Sequence, residues 1–208
     1  MFVLHPEEFR HFSLSDARRF VLFWRQFYRD SVKVFSSDTR IDYYAEIELG
    51  RPLTAENVRR LLRWKDAAYL TEVIMSGAKK GPNRRVDKVI EHVAALNAFR
   101  RGTLSETTFL KCATSIFPTG WIWRLFLFHI ARPLDYPIVD QHVFRSYCWH
   151  TGDESEPGWE MYERYRRYFD SIVAAAGQTD ESPLQMRKHA DDALLAFGQF
   201  LKRYAPMA

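Results

Sequence analysis

Apolar side chains recur every three or four positions along most of the chain, which is the spacing of one face of an α-helix. Val86, Val89, Ile90 and Val93 give the clearest stripe, and the pair Arg101–Gly102 after it is a typical helix stop. Short segments rich in Gly, Pro and Ser separate such stripes. The pattern therefore predicts an all-α architecture of roughly eight to ten short helices.

Two stretches depart from the helical spacing. The segment from Gly77 to Pro82 contains two glycines and a proline, and it predicts a break between helices. Residues 38–52 leave two interpretations open, an extended piece or a short turn of helix. We expect residues 1–208 to form a single helical unit, in which the pattern does not fix how the N-terminal residues 1–50 pack.

Composition narrows the class of protein. The 208 residues are 47% hydrophobic and 27% charged, a balance typical of a folded globular chain. The two cysteines, Cys112 and Cys148, are too few for a four-thiolate cluster and do not indicate a disulfide scaffold. A formal charge of +4 permits a polyanionic partner without requiring one.

The sequence has no pattern typical of membrane insertion, export or metal binding. Its most apolar stretch, from Trp121 to Ala131, is shorter than a membrane-spanning helix and contains Arg124 and His129. The first residues mix apolar and charged side chains without an apolar core. The seven histidines are scattered without metal-ligand spacing. We therefore expect a cytoplasmic protein with no membrane contact, no metal and no cofactor.

The most specific pattern lies between Ile116 and Tyr147. A helix ends here, the short turn Pro118–Gly120 follows, and a strongly apolar helix comes next. A loop with two prolines then leads to the string Val-Asp-Gln-His-Val-Phe-Arg, from Val139 to Arg145. Because Asp140 directly precedes a new helical stripe, the pattern also predicts that it caps that helix.

This segment resembles the helix-hairpin-helix DNA glycosylases, the HhH-GPD superfamily. Those proteins share a hairpin, then a buried helix, then a Val-Asp-x-His-Val-x-Arg string, which Val139 to Arg145 matches at each defined position. The hairpin matches in part, through Phe117, Pro118 and Trp123. The resemblance implies an all-α fold of two lobes with a cleft between them. It places the helix-hairpin-helix and the catalytic segment within residues 105–150.

The resemblance also implies roles for individual residues. Asp140 would be the catalytic carboxylate of a base-excision repair enzyme that acts on double-stranded DNA as a monomer. The other expected site residues are those that contact the DNA, Pro118, Thr119, Gly120 and Arg145, and those that line a pocket for the damaged base, Trp121, Trp123 and His142. Of the two tryptophans, we expect one to be buried and one to lie near the pocket.

The hairpin departs from the family pattern at two positions. Thr119 stands where the family usually has a glycine, and Trp123 stands where bifunctional members have a lysine nucleophile. Because no amine is placed to form a Schiff base, we expect monofunctional hydrolysis that releases the base and leaves an abasic site.

The chemistry of the reaction explains why a carboxylate and a turn are both needed. Cleavage of an N-glycosidic bond builds positive charge on the sugar, which a carboxylate stabilises while it orients the attacking water. The enzyme reaches that bond by turning the nucleotide out of the duplex. Backbone N–H groups at a turn and at the following helix N-terminus can hold a phosphate of the strand.

The same residues also permit simpler interpretations. Asp140 fits a plain N-cap, His142 a structural residue at the helix start, and Pro118–Gly120 an ordinary turn. Arg145 fits either a phosphate contact or the partner of an acidic side chain. For the whole chain, one alternative is a non-catalytic DNA-binding module with the helix-hairpin-helix fold. Another is a helical interaction domain or an unrelated hydrolase, in which the string is a coincidence.

Overall fold

The structure is a computed structural model that describes residues 13–28, 41–65, 73–76, 79–82, 84–177 and 180–205. The chain divides into two compact units. The first unit combines the described residues up to Tyr28 with those from Leu134 onward, and the second holds the described residues between them, up to Pro133. The segment 105–150, expected to contain both parts of the site, therefore crosses the unit boundary.

Helices make up most of the described chain, as the spacing predicts. Two 3-10 turns, Leu14–Asp16 and Arg25–Phe27, flank the first α-helix. In chain order the elements are α1 Ala17–Trp24, α2 Tyr43–Glu46, α3 Ala55–Lys65, β1 Val73–Ser76, β2 Lys79–Pro82, α4 Arg84–Glu91, α5 Val93–Arg100, α6 Glu106–Ile116, α7 Trp121–Ala131, α8 Gln141–Thr151, α9 Trp159–Ala176 and α10 Pro183–Tyr204. In the described part of the chain, no helix is both long and apolar enough to cross a membrane.

The all-α prediction is confirmed for these helices, and one small antiparallel pair of strands adds to it. Strands β1 and β2 pair from Val73 opposite Pro82 to Ser76 opposite Lys79. The sequence marked Gly77–Pro82 as a break, but strands of four residues are too short for alternation to identify. Residues 43–46, which fell in the undecided stretch, form helix α2, because the Asp42 carboxylate accepts hydrogen bonds from the Tyr44 and Ala45 amides.

The core of the first unit forms around helix α10. Four of its apolar residues are fully buried: Ala193, Leu194, Phe197 and Leu201. Phe20 and Trp24 of α1 contact the Phe197 ring at centroid distances of 5.5 and 5.1 Å. The described residues 13–28 thus belong to the core of this unit.

The core of the second unit forms around α5, α6 and α7. Phe99 and Phe109 stack at 4.3 Å, and Phe128 packs edge-on against both rings. His129 interrupts the apolar helix α7, and its Nε2 makes a buried hydrogen bond of 2.7 Å with the hydroxyl of Tyr43. The described residues among the first 50 therefore contribute to both units, since α1 packs in the first and Tyr43 in the second.

Candidate functional site

Asp140 occupies the N-cap of helix α8, as the sequence predicted. Its backbone is extended, with φ −143° and ψ −177°. Its side-chain Oδ1 accepts hydrogen bonds from the amides of His142 and Val143, at 2.8 and 2.9 Å. The residue is half-buried. Two N–H donors and the positive end of the helix dipole therefore hold a carboxylate in one fixed orientation.

The apolar residues of the Val139–Arg145 string anchor this cap. Val139 and Val143 are buried, with 2% and 0% of their surface exposed. Because Val143 also donates its amide to the carboxylate, packing of its side chain fixes one of the two donors. The string thus places a charged group at the edge of a rigid apolar core, which is the arrangement that a positioned carboxylate needs.

His142 and Arg145 form a small network on the first turn of α8. Burial lowers the pKa of His142 although the nearby Asp140 opposes this shift, so the imidazole is neutral at neutral pH. Its Nδ1 therefore accepts a hydrogen bond of 3.1 Å from Nη1 of Arg145, since a guanidinium can only donate. The same Nη1 donates to the carbonyl of Gly198 at 3.2 Å. Arg145 thus links α8 to α10, and its expected phosphate contact stays a prediction.

Gly198 explains how closely α8 and α10 approach each other. A Cβ at this position would lie 1.9 Å from the carbonyl oxygen of His142 and 2.9 Å from Oγ of Ser146. The buried Ser146 hydroxyl donates a hydrogen bond of 2.6 Å to the carbonyl of Leu194. The turn that carries Asp140 therefore rests directly on the backbone of α10. The sequence does not mark Gly198, because a lone glycine in a helical stripe gives no sign of the residue that it contacts.

The predicted hairpin lies in the second unit, between α6 and α7. Pro118 and Thr119 are exposed, and Gly120 is the N-cap of α7 with φ −94°. This backbone conformation is open to any residue, and a Cβ at Gly120 would meet only ordinary contacts of 3.5 Å or more. Gly120 makes no side-chain cap to α7, and the N-terminus of a helix is a favourable place for an anion.

Arg124 holds the hairpin in shape, and the sequence alone did not assign it this role. Its Nε donates to the carbonyl of Phe117 at 2.6 Å, and its Nη2 donates to the carbonyl of Pro118. These carbonyls belong to the two residues directly after α6, where the backbone has left the helix and lacks helical partners. A guanidinium therefore lies against the turn, where it adds both rigidity and positive charge.

We expect Arg124→Met to loosen this turn. Loss of two hydrogen bonds to a charged donor should lower the free energy of unfolding by about 2 kcal/mol. Urea denaturation followed by tryptophan fluorescence measures the change. Arg101→Met, which alters an exposed arginine just after α5, is the matched control and should have little effect. Equal stability of the Arg124 and Arg101 variants would show that the contacts to the turn contribute nothing.

The two tryptophans after the hairpin are both half-buried. The expectation that one of them would be buried is wrong, because both lie in the first turn of α7, before its buried run begins at Leu125. The ring of Trp123 stacks on Phe117 at 5.9 Å and meets Phe126 edge-on at 6.1 Å. Trp123 thus braces the end of α6, and the predicted pocket role of both tryptophans stays a prediction.

Residues 152–158 form an acidic loop between α8 and α9, and Asp153 holds this loop in place. Its carboxylate accepts hydrogen bonds from Nε of Arg164 at 2.9 Å, from the Tyr147 hydroxyl at 2.6 Å and from the Ser155 amide at 3.0 Å. The bond from Arg164, followed by those from Ser155 and Tyr147, holds the pKa of Asp153 well below its ordinary value. Burial raises the pKa of Tyr147 to about 12, so its hydroxyl remains a donor.

The hydrogen bonds to Asp153 predict how the stability of the protein changes at low pH. Because the folded protein lowers the pKa of Asp153, its contribution is fully present above the ordinary value of 3.8 and is lost as the pH falls below it. Asp153→Asn should therefore lower the urea midpoint at neutral pH and reduce the further loss seen between pH values of about 5 and 2. Glu154→Gln, a change at an exposed neighbour, is the control. Parallel pH profiles for the wild type and Asp153→Asn would contradict this account.

The predicted site residues thus form two groups in different units. Asp140, His142 and Arg145 belong to the first unit, and residues 118–123 belong to the second. Among the described residues, no group of three or more His, Cys, Asp and Glu side chains could hold a metal ion.

Comparison with protein-family models, curated proteins and solved structures found no match.

Proposed function

We propose that this protein is a monofunctional DNA glycosylase of the helix-hairpin-helix type. It would hydrolyse the N-glycosidic bond of a damaged base in double-stranded DNA and leave an abasic site. The observation that carries the proposal is the fixed orientation of the Asp140 carboxylate. Its carboxylate is fixed by two amide donors at the N-cap of a helix, within a string that matches the family pattern from Val139 to Arg145.

A fixed carboxylate suits the reaction because the transition state carries positive charge on the sugar. As the bond between C1′ and the base nitrogen breaks, its electrons leave with the base, which takes up a proton. Asp140 stabilises the cationic sugar and accepts a proton from the water whose oxygen bonds to C1′. That proton returns to solvent, from which the base takes up its own. Because the amides of His142 and Val143 already hold the carboxylate, little reorganisation is needed at the moment of reaction.

The hairpin at Pro118–Gly120 would bind a phosphate of the DNA strand. The exposed turn at Pro118 and Thr119, the uncapped start of α7 and the Arg124 guanidinium form a site suited to one phosphate. Trp123 occupies the position at which bifunctional members have their lysine nucleophile. The nearest lysine before the hairpin, Lys111, is exposed on the preceding helix α6 and so does not stand at that position. We therefore propose hydrolysis without a covalent intermediate.

Incubation of the protein with duplexes that carry oxidised, deaminated or alkylated bases, followed by alkali cleavage, tests this proposal. We expect strand cleavage at one class of lesion only after alkali, because the product is an abasic site. Borohydride should trap no covalent complex with DNA. Trapping would overturn the monofunctional part of the proposal, and the absence of alkali-labile sites on every lesion would overturn the enzymatic part.

A non-catalytic DNA-binding module is the second candidate. The observation that favours it is the hairpin sequence, in which Thr119 stands in place of a glycine and Trp123 in place of a lysine of the family pattern. Such a module would bind duplex DNA with an affinity that falls steeply with salt, and it would release no base. Salt-dependent binding together with inactivity across the lesion panel would select this candidate.

A further inference from the structure

The segment that leads into Asp140 is a buried loop. Tyr136, Ile138 and Val139 are each less than 5% exposed, and Pro137 is buried with them. A buried loop has backbone carbonyls that water cannot reach, so each needs a partner within the protein. The side chains that satisfy these carbonyls therefore determine where the loop, and the carboxylate at its end, can lie.

Two tyrosines of helix α9 supply these partners. The Tyr162 hydroxyl donates to the carbonyl of Pro137, and the Tyr165 hydroxyl donates to the carbonyl of Ile138, both at 2.9 Å. Both tyrosines are fully buried. The second of these carbonyls is two residues before Asp140, so the contact lies very close to the carboxylate along the chain.

A third side chain of the same helix extends this contact upstream. Arg166 donates from Nε to the carbonyl of Asp135 at 3.1 Å, and its guanidinium lies 4.3 Å from the centre of the Tyr136 ring. Tyr162, Tyr165 and Arg166 are spaced i, i+3 and i+4, so they share one face of α9. One helix face therefore holds three carbonyls of the loop between residues 135 and 138.

The two hydroxyls are protonated, and so remain donors, at neutral pH. Burial raises the pKa of Tyr162 and of Tyr165 well above the ordinary value. For Tyr165, the negative charge of Asp191 adds to the effect of burial on the pKa. A phenylalanine would fill the same apolar space, so the packing of the ring alone does not account for tyrosine at either position.

We propose that Tyr162 and Tyr165 are positioning residues for the Asp140 carboxylate. Their hydroxyls fix the backbone of residues 137 and 138, and this fixes the cap at which Asp140 meets the amides of His142 and Val143. The consequence for catalysis rests on the proposed glycosylase function. The hydrogen bonds from the two hydroxyls to the loop do not depend on that function, so their effect on the cap is measured separately.

The variants Tyr162→Phe and Tyr165→Phe remove each hydroxyl and keep each ring. Tyr168→Phe is the matched control, because Tyr168 lies on the same helix and its hydroxyl contacts Nδ1 of His150 instead of the loop. Amide hydrogen exchange of His142 and Val143, taken relative to the Phe197 amide of α10, measures how firmly the cap is held. Single-turnover base release and the dissociation constant for lesion DNA measure the effect on the reaction.

We expect exchange at His142 and Val143 to be about fivefold faster in each of the two variants and unchanged in the control. Single-turnover base release should fall about tenfold at an unchanged dissociation constant, because the carboxylate is displaced while the DNA contacts remain. Unchanged exchange overturns the inference, and so does faster exchange with an unchanged rate. If the wild type releases no base, the proposed function fails, and the exchange measurement alone decides the inference.

Discussion

Replacement of Asp140 by asparagine is expected to reduce base release by about 10²–10⁴-fold while the protein stays folded. The asparagine oxygen can still accept the hydrogen bonds from the His142 and Val143 amides, so the cap on α8 is retained. The negative charge, however, is lost, and a neutral amide neither stabilises a cationic sugar nor orients water as a base. The rate should therefore fall far more than the stability, which should change by less than about 1 kcal/mol.

The chain offers a close control for this variant. Asp42 is also an N-cap aspartate, and one of its carboxylate oxygens accepts hydrogen bonds from two backbone amides at the start of α2. Asp42→Asn removes the same charge from the same kind of cap at a different helix. It should leave the rate of base release unchanged. If Asp140→Asn released the base at a rate within about threefold of the wild type, Asp140 would be a helix cap without a catalytic role.

Replacement of Gly198 by alanine is expected to cause the largest loss of stability. The added methyl would lie 1.9 Å from the carbonyl oxygen of His142 and 2.5 Å from its carbonyl carbon, and both are backbone atoms that cannot rotate away. Helix α8 must therefore shift on α10, which should cost about 3 kcal/mol in the free energy of unfolding. Since the displaced turn carries Asp140, base release should fall as well.

Gly50→Ala is the control for this substitution. A Cβ at Gly50 meets no atom within 4 Å, and the residue lies in a turn of the second unit. Its unfolding free energy should stay within about 0.5 kcal/mol of the wild type. Chemical denaturation of both variants measures the difference. A Gly198→Ala protein as stable as Gly50→Ala would mean that α8 and α10 do not approach each other as closely as described.

The sequence predicted features that depend on neighbouring residues. Apolar spacing identified the helices, and the position of Asp140 before a helical stripe identified its cap, because both are set by local backbone geometry. For the candidate site, the sequence therefore predicted the element that holds the carboxylate.

Features that depend on distant residues could not be predicted in this way. Gly198 contacts a turn more than fifty positions away, and Tyr165 satisfies a carbonyl of Ile138. Lys188 and Asp191 are buried as an ion pair within α10, although charged residues at this spacing usually face water. Each of these depends on which helices pack together, and a single sequence does not contain that information.

The most direct test of the central claim is detection of the free base released from a lesion-bearing duplex in a single turnover. The wild-type protein and Asp42→Asn should release the base at the same rate, and Asp140→Asn should release it at least about a hundredfold more slowly. Salt-dependent DNA binding by all three proteins with no free base from any lesion would contradict the account.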